Sequence, residues 1–112
     1  MIVQERDVLV LQLNDKCTRR VLNYGPELML VEFCFQKGGV GEPHAHENHE
    51  QVGYIVNGSF ELQVGDEKRT VTKGDSYYAG KNVLHGVVAL EDHSVIIDAF
   101  TPARQDFLLR RE

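Results

Sequence analysis

The sequence predicts an all-β fold, a sandwich or barrel of short strands followed by a short helical tail. Three observations predict it: short apolar or alternating runs recur along the 112 residues, turn dipeptides separate them, and no helical period appears before the C-terminal end. Taken in order, the run 7–14 ends at Asn14-Asp15, 17–24 at Gly25-Pro26, and 28–36 before Gly38-Gly39. The run 51–56 ends at Asn57-Gly58, 60–64 at Gly65-Asp66, 68–72 before Gly74-Asp75, and 84–90 at Glu91-Asp92, while 76–79 and 94–100 complete the set. Asn-Gly and Gly-Asp read as hairpin signals because both accept positive φ. Residues 101–109, TPARQDFLL, predict the helical tail, with Thr101 as N-cap and Pro102 at the first helical position. No repeat, linker or low-complexity stretch divides the chain, so residues 1–112 read as a single domain.

The apolar share of 42% suits a chain that buries a core, and the net charge of −5 excludes a general nucleic-acid or anionic-membrane surface, which needs a basic patch. A small anionic substrate remains compatible, because one local arginine outweighs a distant field. No stretch is apolar enough to span a bilayer, and MIVQERDVLVLQLN has no basic region followed by an apolar run, so a cytoplasmic location is expected. Cys17 and Cys34, with no C-x-x-C pair, read as small buried hydrophobes rather than a disulfide or metal ligands. Val95-Ile96-Ile97 and Val87-Val88-Ala89-Leu90 are apolar on both faces, which predicts a homodimer; the alternative is a monomer with a generous core.

Chemistry concentrates in HAHENHEQ, residues 44–51. His44 and His46 are two apart, so an extended backbone puts both imidazoles on one face. Gln51 opens the next strand, where a hairpin return would bring its amide oxygen to the same point, and His85 starts a strand far downstream. Three neutral imidazoles and one oxygen are a common ligand set for a divalent transition metal ion, with nickel, zinc, manganese, iron and cobalt all compatible. His49 reads as a loop residue behind the ligands, and His93 as a solvated turn residue.

These residues resemble a known family. Gly39-Val40-Gly41-Glu42-Pro43-His44-Ala45-His46, then Gln51 and Gly58, resemble the first motif of the cupin superfamily, and Gly74-Asp75, Asn82 and His85 resemble the second. The resemblance implies an RmlC-like jelly-roll β-barrel with His44, His46, Gln51 and His85 as metal ligands. Two departures stand out. Gln51 replaces the usual glutamate: Gly58 follows it by seven positions, the expected spacing, which leaves Glu50 on the opposite face. Gly80 replaces a usual proline, a change confined to the turn. An amide cancels none of the ion's charge, which suits a Lewis acid polarising a carbonyl or enol oxygen.

Toward the C-terminus, Asp98-Ala99-Phe100-Thr101-Pro102-Ala103-Arg104-Gln105-Asp106-Phe107-Leu108, together with His49-Glu50-Gln51, is similar to the small pectin-degradation cupins called KdgF-like. That resemblance implies conversion of cyclic unsaturated uronate monomers to linear keto sugars, with Asp98, Phe100 and Arg104 at the catalytic positions. Parity agrees in part: Asp98 and Phe100 share a strand face with Ile96. On this reading Asp98 is the proton shuttle, Arg104 grips the uronate carboxylate with a bidentate fork, and Phe100 is a wall against the sugar ring. The plainer readings are Asp98 as a buried partner of a tyrosine, an arginine or a ligand histidine, Arg104 as a surface ion pair, and Phe100 as core. The expected partner is a small anionic carbohydrate. Rival functions are a metal-dependent dioxygenase and a non-catalytic ligand-binding cupin; no helix-turn-helix fits in the chain to make it a regulator. Arg110-Arg111-Glu112 is expected to be a solvated tail.

Overall fold

The structure, a computed structural model, describes residues 1–108; the expectation for Arg110-Arg111-Glu112 lies outside them. A 3₁₀ turn at Glu5–Asp7 precedes ten strands: β1 Leu11–Asn14, β2 Cys17–Tyr24, β3 Met29–Phe35, β4 Val40–His44, β5 Glu50–Asn57, β6 Ser59–Val64, β7 Glu67–Thr72, β8 Ser76–Ala79, β9 His85–Ala89 and β10 Ser94–Thr101. A single helical turn, α1, follows at Gln105–Leu108. The strands form two antiparallel sheets, β1-β2-β3-β10-β5-β8 and β4-β9-β6-β7, which face each other as a jelly roll. Among the described residues no helix is long and apolar enough to cross a membrane.

Alternation along β5 and β10 decides what enters the space between the sheets. Gln51, Gly53 and Ile55 turn inward on β5 while Val52 and Tyr54 stay exposed. On β10 Ile96, Asp98 and Phe100 are all buried. Two apolar clusters result. Phe35, Ile55, Phe60, Leu62 and Ile96 fill one end, with the rings of Phe35 and Phe60 edge to face at 5.5 Å. Met29, Val31, Phe100, Ala103 and Phe107 fill the other, where Phe107 docks α1; burying such a ring stabilises by about 1.5–3 kcal/mol. Between the clusters lies a cavity of about 240 Å³.

Nine strands are expected from the sequence and ten are found. The added one is β4, whose Gly41 and Pro43 hide its strand character. It lies at the edge of its sheet and pairs only with β9, with a register shift between Gly41 and His44. An edge tolerates proline, since the missing N–H has no ladder partner there. The first run is shorter than expected, beginning at Leu11. Gly65-Asp66 closes a hairpin, with Val64 opposite Glu67. Asn57-Gly58 instead carries the chain from one sheet to the other, because β5 and β6 lie in different sheets. Gly58 is needed there twice over: its φ is 74°, and a Cβ would strike Ser94.

The tail also differs in detail. Thr101 is no N-cap, because it remains in β10 opposite Glu50, and Pro102 follows it through a cis peptide bond. The helix starts only at Gln105. Both cysteines are free thiols; Cys17 is buried, and burial pushes its thiol up to about 11, whereas Cys34 is half-buried.

Candidate functional site

β4 and β9 run antiparallel with His44 opposite His85, and His46 follows two residues after His44. The ring centroids lie 4.6 Å apart for His44 and His46, 4.5 Å for His44 and His85, and 5.2 Å for His46 and His85. Each ring offers one nitrogen to a common centre, all within 4.8 Å of one another, so the three form a group able to hold a metal ion. The tautomers follow from the backbone. His44 Nδ1 donates to Glu42 O at 2.7 Å and His85 Nδ1 donates to Val83 O at 2.9 Å, because a carbonyl can only accept. In the neutral rings both Nε2 atoms are therefore left as lone pairs.

Burial lowers the His46 imidazole to about 4, with Arg104 and the neighbouring histidines adding to the effect. Burial lowers His85 as well. Both rings are thus neutral near pH 7, the form that ligates. Among the described residues, two buried side-chain atoms have no hydrogen-bond partner, His85 Nε2 and Gln51 Oε1. Both are acceptors, and a buried acceptor without a donor is uncommon. A cation satisfies both, so the donor set fits a divalent transition metal.

The second half of the cavity is assembled by register. Val31, Asp98, Gly53 and Tyr77 form one row across β3, β10, β5 and β8; Met29, Phe100, Gln51 and Ala79 form the next. Tyr77 Oη donates to Asp98 Oδ1 at 2.7 Å, and Gln51 Nε2 donates to Tyr77 Oη at 2.6 Å. A Cβ on Gly53 would collide with the Tyr77 ring and with Asp98 Oδ1, so only glycine leaves room for the two to meet. Asp98 is 5% exposed, and burial raises its carboxyl from 3.8 to about 7 against the opposing effect of the Tyr77 hydrogen bond. Burial first, and then Asp98, push the Tyr77 phenol well above its usual range.

Arg104 stands at the mouth. Its fork is engaged by Asp106, through Nε to Oδ1 at 3.0 Å and Nη2 to Oδ2 at 2.7 Å. That hydrogen bonding holds the Asp106 carboxyl below its usual value. The Arg104 guanidinium lies 4.1 Å from the Phe107 ring centroid, with Arg19 also on that ring at 3.9 Å. Nη1 is the donor turned toward the histidines, 3.2 Å from His46 Nε2. The two-pronged grip expected from the sequence is thus taken by an internal carboxylate, two residues on at the start of α1. His49 lies in the loop after His46, its ring 5.9 Å from that of His46, and donates Nδ1–H to Pro102 O at 2.9 Å. His93 is exposed in a turn, as expected, with φ 56°.

Of the residues singled out from sequence, His44, Gln51, His85, Asp98, Phe100 and Arg104 line the one cavity, and His46 packs against its histidine edge. Tyr77, Gly53 and Phe107 were not singled out. The available signal for Tyr77 was parity: it shares a face of β8 with buried Ala79.

A family model described as the cupin domain matches residues 31–99. The chain is 46% identical over 97 residues to the pectin degradation protein KdgF of Dickeya dadantii (strain 3937), covering 87% of this chain and 88% of that one. Among solved structures, KdgF from Halomonas sp. superimposes with a TM-score of 0.91 at 37% identity, over 96% of this chain and 99% of that one. An RmlC-like cupin from Shewanella frigidimarina NCIMB 400 superimposes with a TM-score of 0.88 at 35% identity, over 95% and 94%.

Proposed function

Because the chain belongs to the cupin family, alongside the KdgF-like pectin-degradation cupins, we propose that it converts unsaturated uronate monomers to linear keto sugars with the help of a divalent metal ion. The observation that carries the reading is the pairing, in one mostly apolar cavity, of a buried carboxyl with a raised pKa, Asp98, and a cationic donor at the mouth, Arg104. The first suits proton transfer near neutral pH and the second suits an anionic sugar.

His44 and His85, through Nε2, His46, and Gln51, through Oε1, would hold the ion. When bound, it supplies a Lewis acid that polarises a carbonyl or enol oxygen. The chain's own groups do the rest. Arg104 Nη1 binds the substrate carboxylate while Asp106 keeps the guanidinium oriented. Phe100, 2% exposed at the cavity wall, packs the sugar ring and helps exclude water. In a cyclic 4,5-unsaturated uronate the hemiacetal hydroxyl loses its proton as the bond from C1 to the ring oxygen breaks, and the ring oxygen, which keeps the bonding pair, gains a proton. This leaves an aldehyde at C1 and an enol at C5. Asp98 then moves the remaining proton: the enol oxygen loses one, C4 gains one, and a ketone stands at C5, so the product is an isomer of the substrate. A carboxyl near pKa 7 both accepts and returns a proton at neutral pH.

The homodimer belongs to the same proposal, supported by exposed apolar side chains on the outer face of the larger sheet, Leu30, Val52, Tyr54 and Tyr78. An NMR time course on lyase-generated unsaturated uronates, run beside metal analysis of the protein, tests the function. Ring opening faster than the spontaneous rate is expected. A rate no faster than the protein-free control in metal-loaded protein removes the reading.

A further inference from the structure

The open end of the Gln51 amide is set by a residue that touches no proposed ligand position directly other than Gln51 itself. Tyr77 has one hydroxyl hydrogen and gives it to Asp98 Oδ1 at 2.7 Å. Its oxygen then has only lone pairs for Gln51, so the amide meets it with Nε2, at 2.6 Å. The consequence is seen at the other end of the amide, where Oε1 is buried with no donor among the described residues. Turned over, the amide would put its NH₂ toward the cavity, where His85 Nε2 is a buried acceptor in want of a donor. What opposes it is the Asp98 carboxylate, which is an acceptor only while ionised: the turned-over amide needs the tyrosine hydrogen for its own Oε1, which strips that buried carboxylate of the donor it has. Gly53 fixes the meeting point, since a Cβ there would strike both the Tyr77 ring and Asp98.

We propose that Tyr77 is a positioning residue for the metal site: read from Asp98, its hydroxyl orders the Gln51 amide so that oxygen, not nitrogen, faces the histidines. The inference rests on the reading above that Gln51 Oε1 is a metal ligand. It also answers why an amide works at position 51. An amide has a wrong way round, and the tyrosine supplies the direction. A carboxylate has two equivalent oxygens and no wrong way round.

That difference gives the test, a double-mutant cycle read by Ni²⁺ titration calorimetry on folded, metal-stripped protein. Tyr77→Phe should weaken Ni²⁺ binding by about 10- to 100-fold when Gln51 is present, the usual range for a residue that orients a ligand. In the Gln51→Glu background the same change should weaken it by less than about 3-fold, because either carboxylate oxygen serves. A side chain that only supports the wall would cost the same in both backgrounds. Equal losses in the two backgrounds, or no loss in either, overturn the proposal. If Tyr77→Phe does not fold, Asp98→Ala gives the same contrast, since it removes the acceptor that orders the hydroxyl. The readout uses no sugar. A wild-type protein that binds Ni²⁺ but leaves unsaturated uronates unchanged removes the enzymatic reading and leaves this one standing; equal losses remove this one alone. A wild-type protein that binds none of Ni²⁺, Zn²⁺, Mn²⁺, Fe²⁺ and Co²⁺ overturns both.

Discussion

At the histidine end of the cavity two of the three rings are steered by a carbonyl two residues away in sequence, Glu42 O for His44 and Val83 O for His85. At the carboxyl end the steering group comes from another strand: Tyr77 is 21 residues from Asp98 and 26 from Gln51. The first arrangement needs only a local turn and survives on an edge strand with a register shift. The second needs β10, β5 and β8 in strict register, plus a glycine in the middle of the row. The two ends differ in charge preference as well, because burial favours neutral imidazoles at one and a neutral carboxyl at the other. One end is robust and locally coded; the other is a product of the whole sheet.

The largest effect that would sharpen this contrast is chemical. Asp98→Asn keeps the volume and removes the proton carrier, so turnover should fall by about 10²- to 10⁴-fold. Metal content, measured in the same samples, should stay close to that of the wild type, because the asparagine amide oxygen still accepts from Tyr77 and none of the three histidines depends on Asp98. Turnover that survives the change would break the division of labour between the ends.

Arg104→Ala comes next. Removing a charge-assisted hydrogen bond of about 1.5–3 kcal/mol should raise KM by about 10- to 100-fold with a smaller change in kcat. Steady-state kinetics on the purified uronate checks it, and an unchanged KM would take Arg104 out of substrate binding.

Gly53→Ala probes the register-dependent end without replacing an ionisable residue. Pushing a methyl into the Tyr77–Asp98 contact should destabilise the fold by about 1–3 kcal/mol, read as a lower urea midpoint. A midpoint equal to wild type would mean the row yields more easily than its packing implies.

The smallest effect concerns acid stability of the metal-free protein. Asp98 is raised from 3.8 to about 7, so the native state holds that proton more tightly than the unfolded chain does. Its contribution is full below 3.8 and lost as pH climbs toward 7. His46 is lowered from 6.5 to about 4, so its contribution is present above 6.5 and lost as pH falls toward 4. Between pH 4 and 7 the two ends offset each other. Asp98→Asn removes one side of the balance, and its unfolding free energy should drop more steeply than the wild type's on going from pH 7 to pH 4. Parallel curves would show that the ends do not titrate in opposition.

The same contrast explains what was legible in the sequence. His44, His46, Gln51 and His85 sit in spacings that follow from strand period and short turns, and Asp98 and Phe100 follow from parity with Ile96. Such signals depend on near neighbours. Tyr77 and Gly53 acquire their roles only from which strand lies beside which, and nothing in SYYA or QVGY announces that. β4 escaped notice because glycine and proline mask a strand whose place at an edge makes both acceptable. The helix start is hidden for a similar reason: Thr101 and Pro102 have capping chemistry, but pairing with Glu50 keeps Thr101 in the ladder. For Arg104 the sequence supports both a substrate fork and an ion pair; the fold gives two of its donors to Asp106 and turns Nη1 toward His46.

Position 53 sets an unusual rule for redesign of this pocket. Most binding sites are enlarged by trimming side chains and sharpened by adding them, yet here every possible replacement adds bulk at the point where three strands bring a phenol and a carboxyl together. Engineers seeking a new sugar specificity can vary the partly buried walls at Phe33 or Val87, but a library that randomises residue 53 searches almost entirely among blocked pockets.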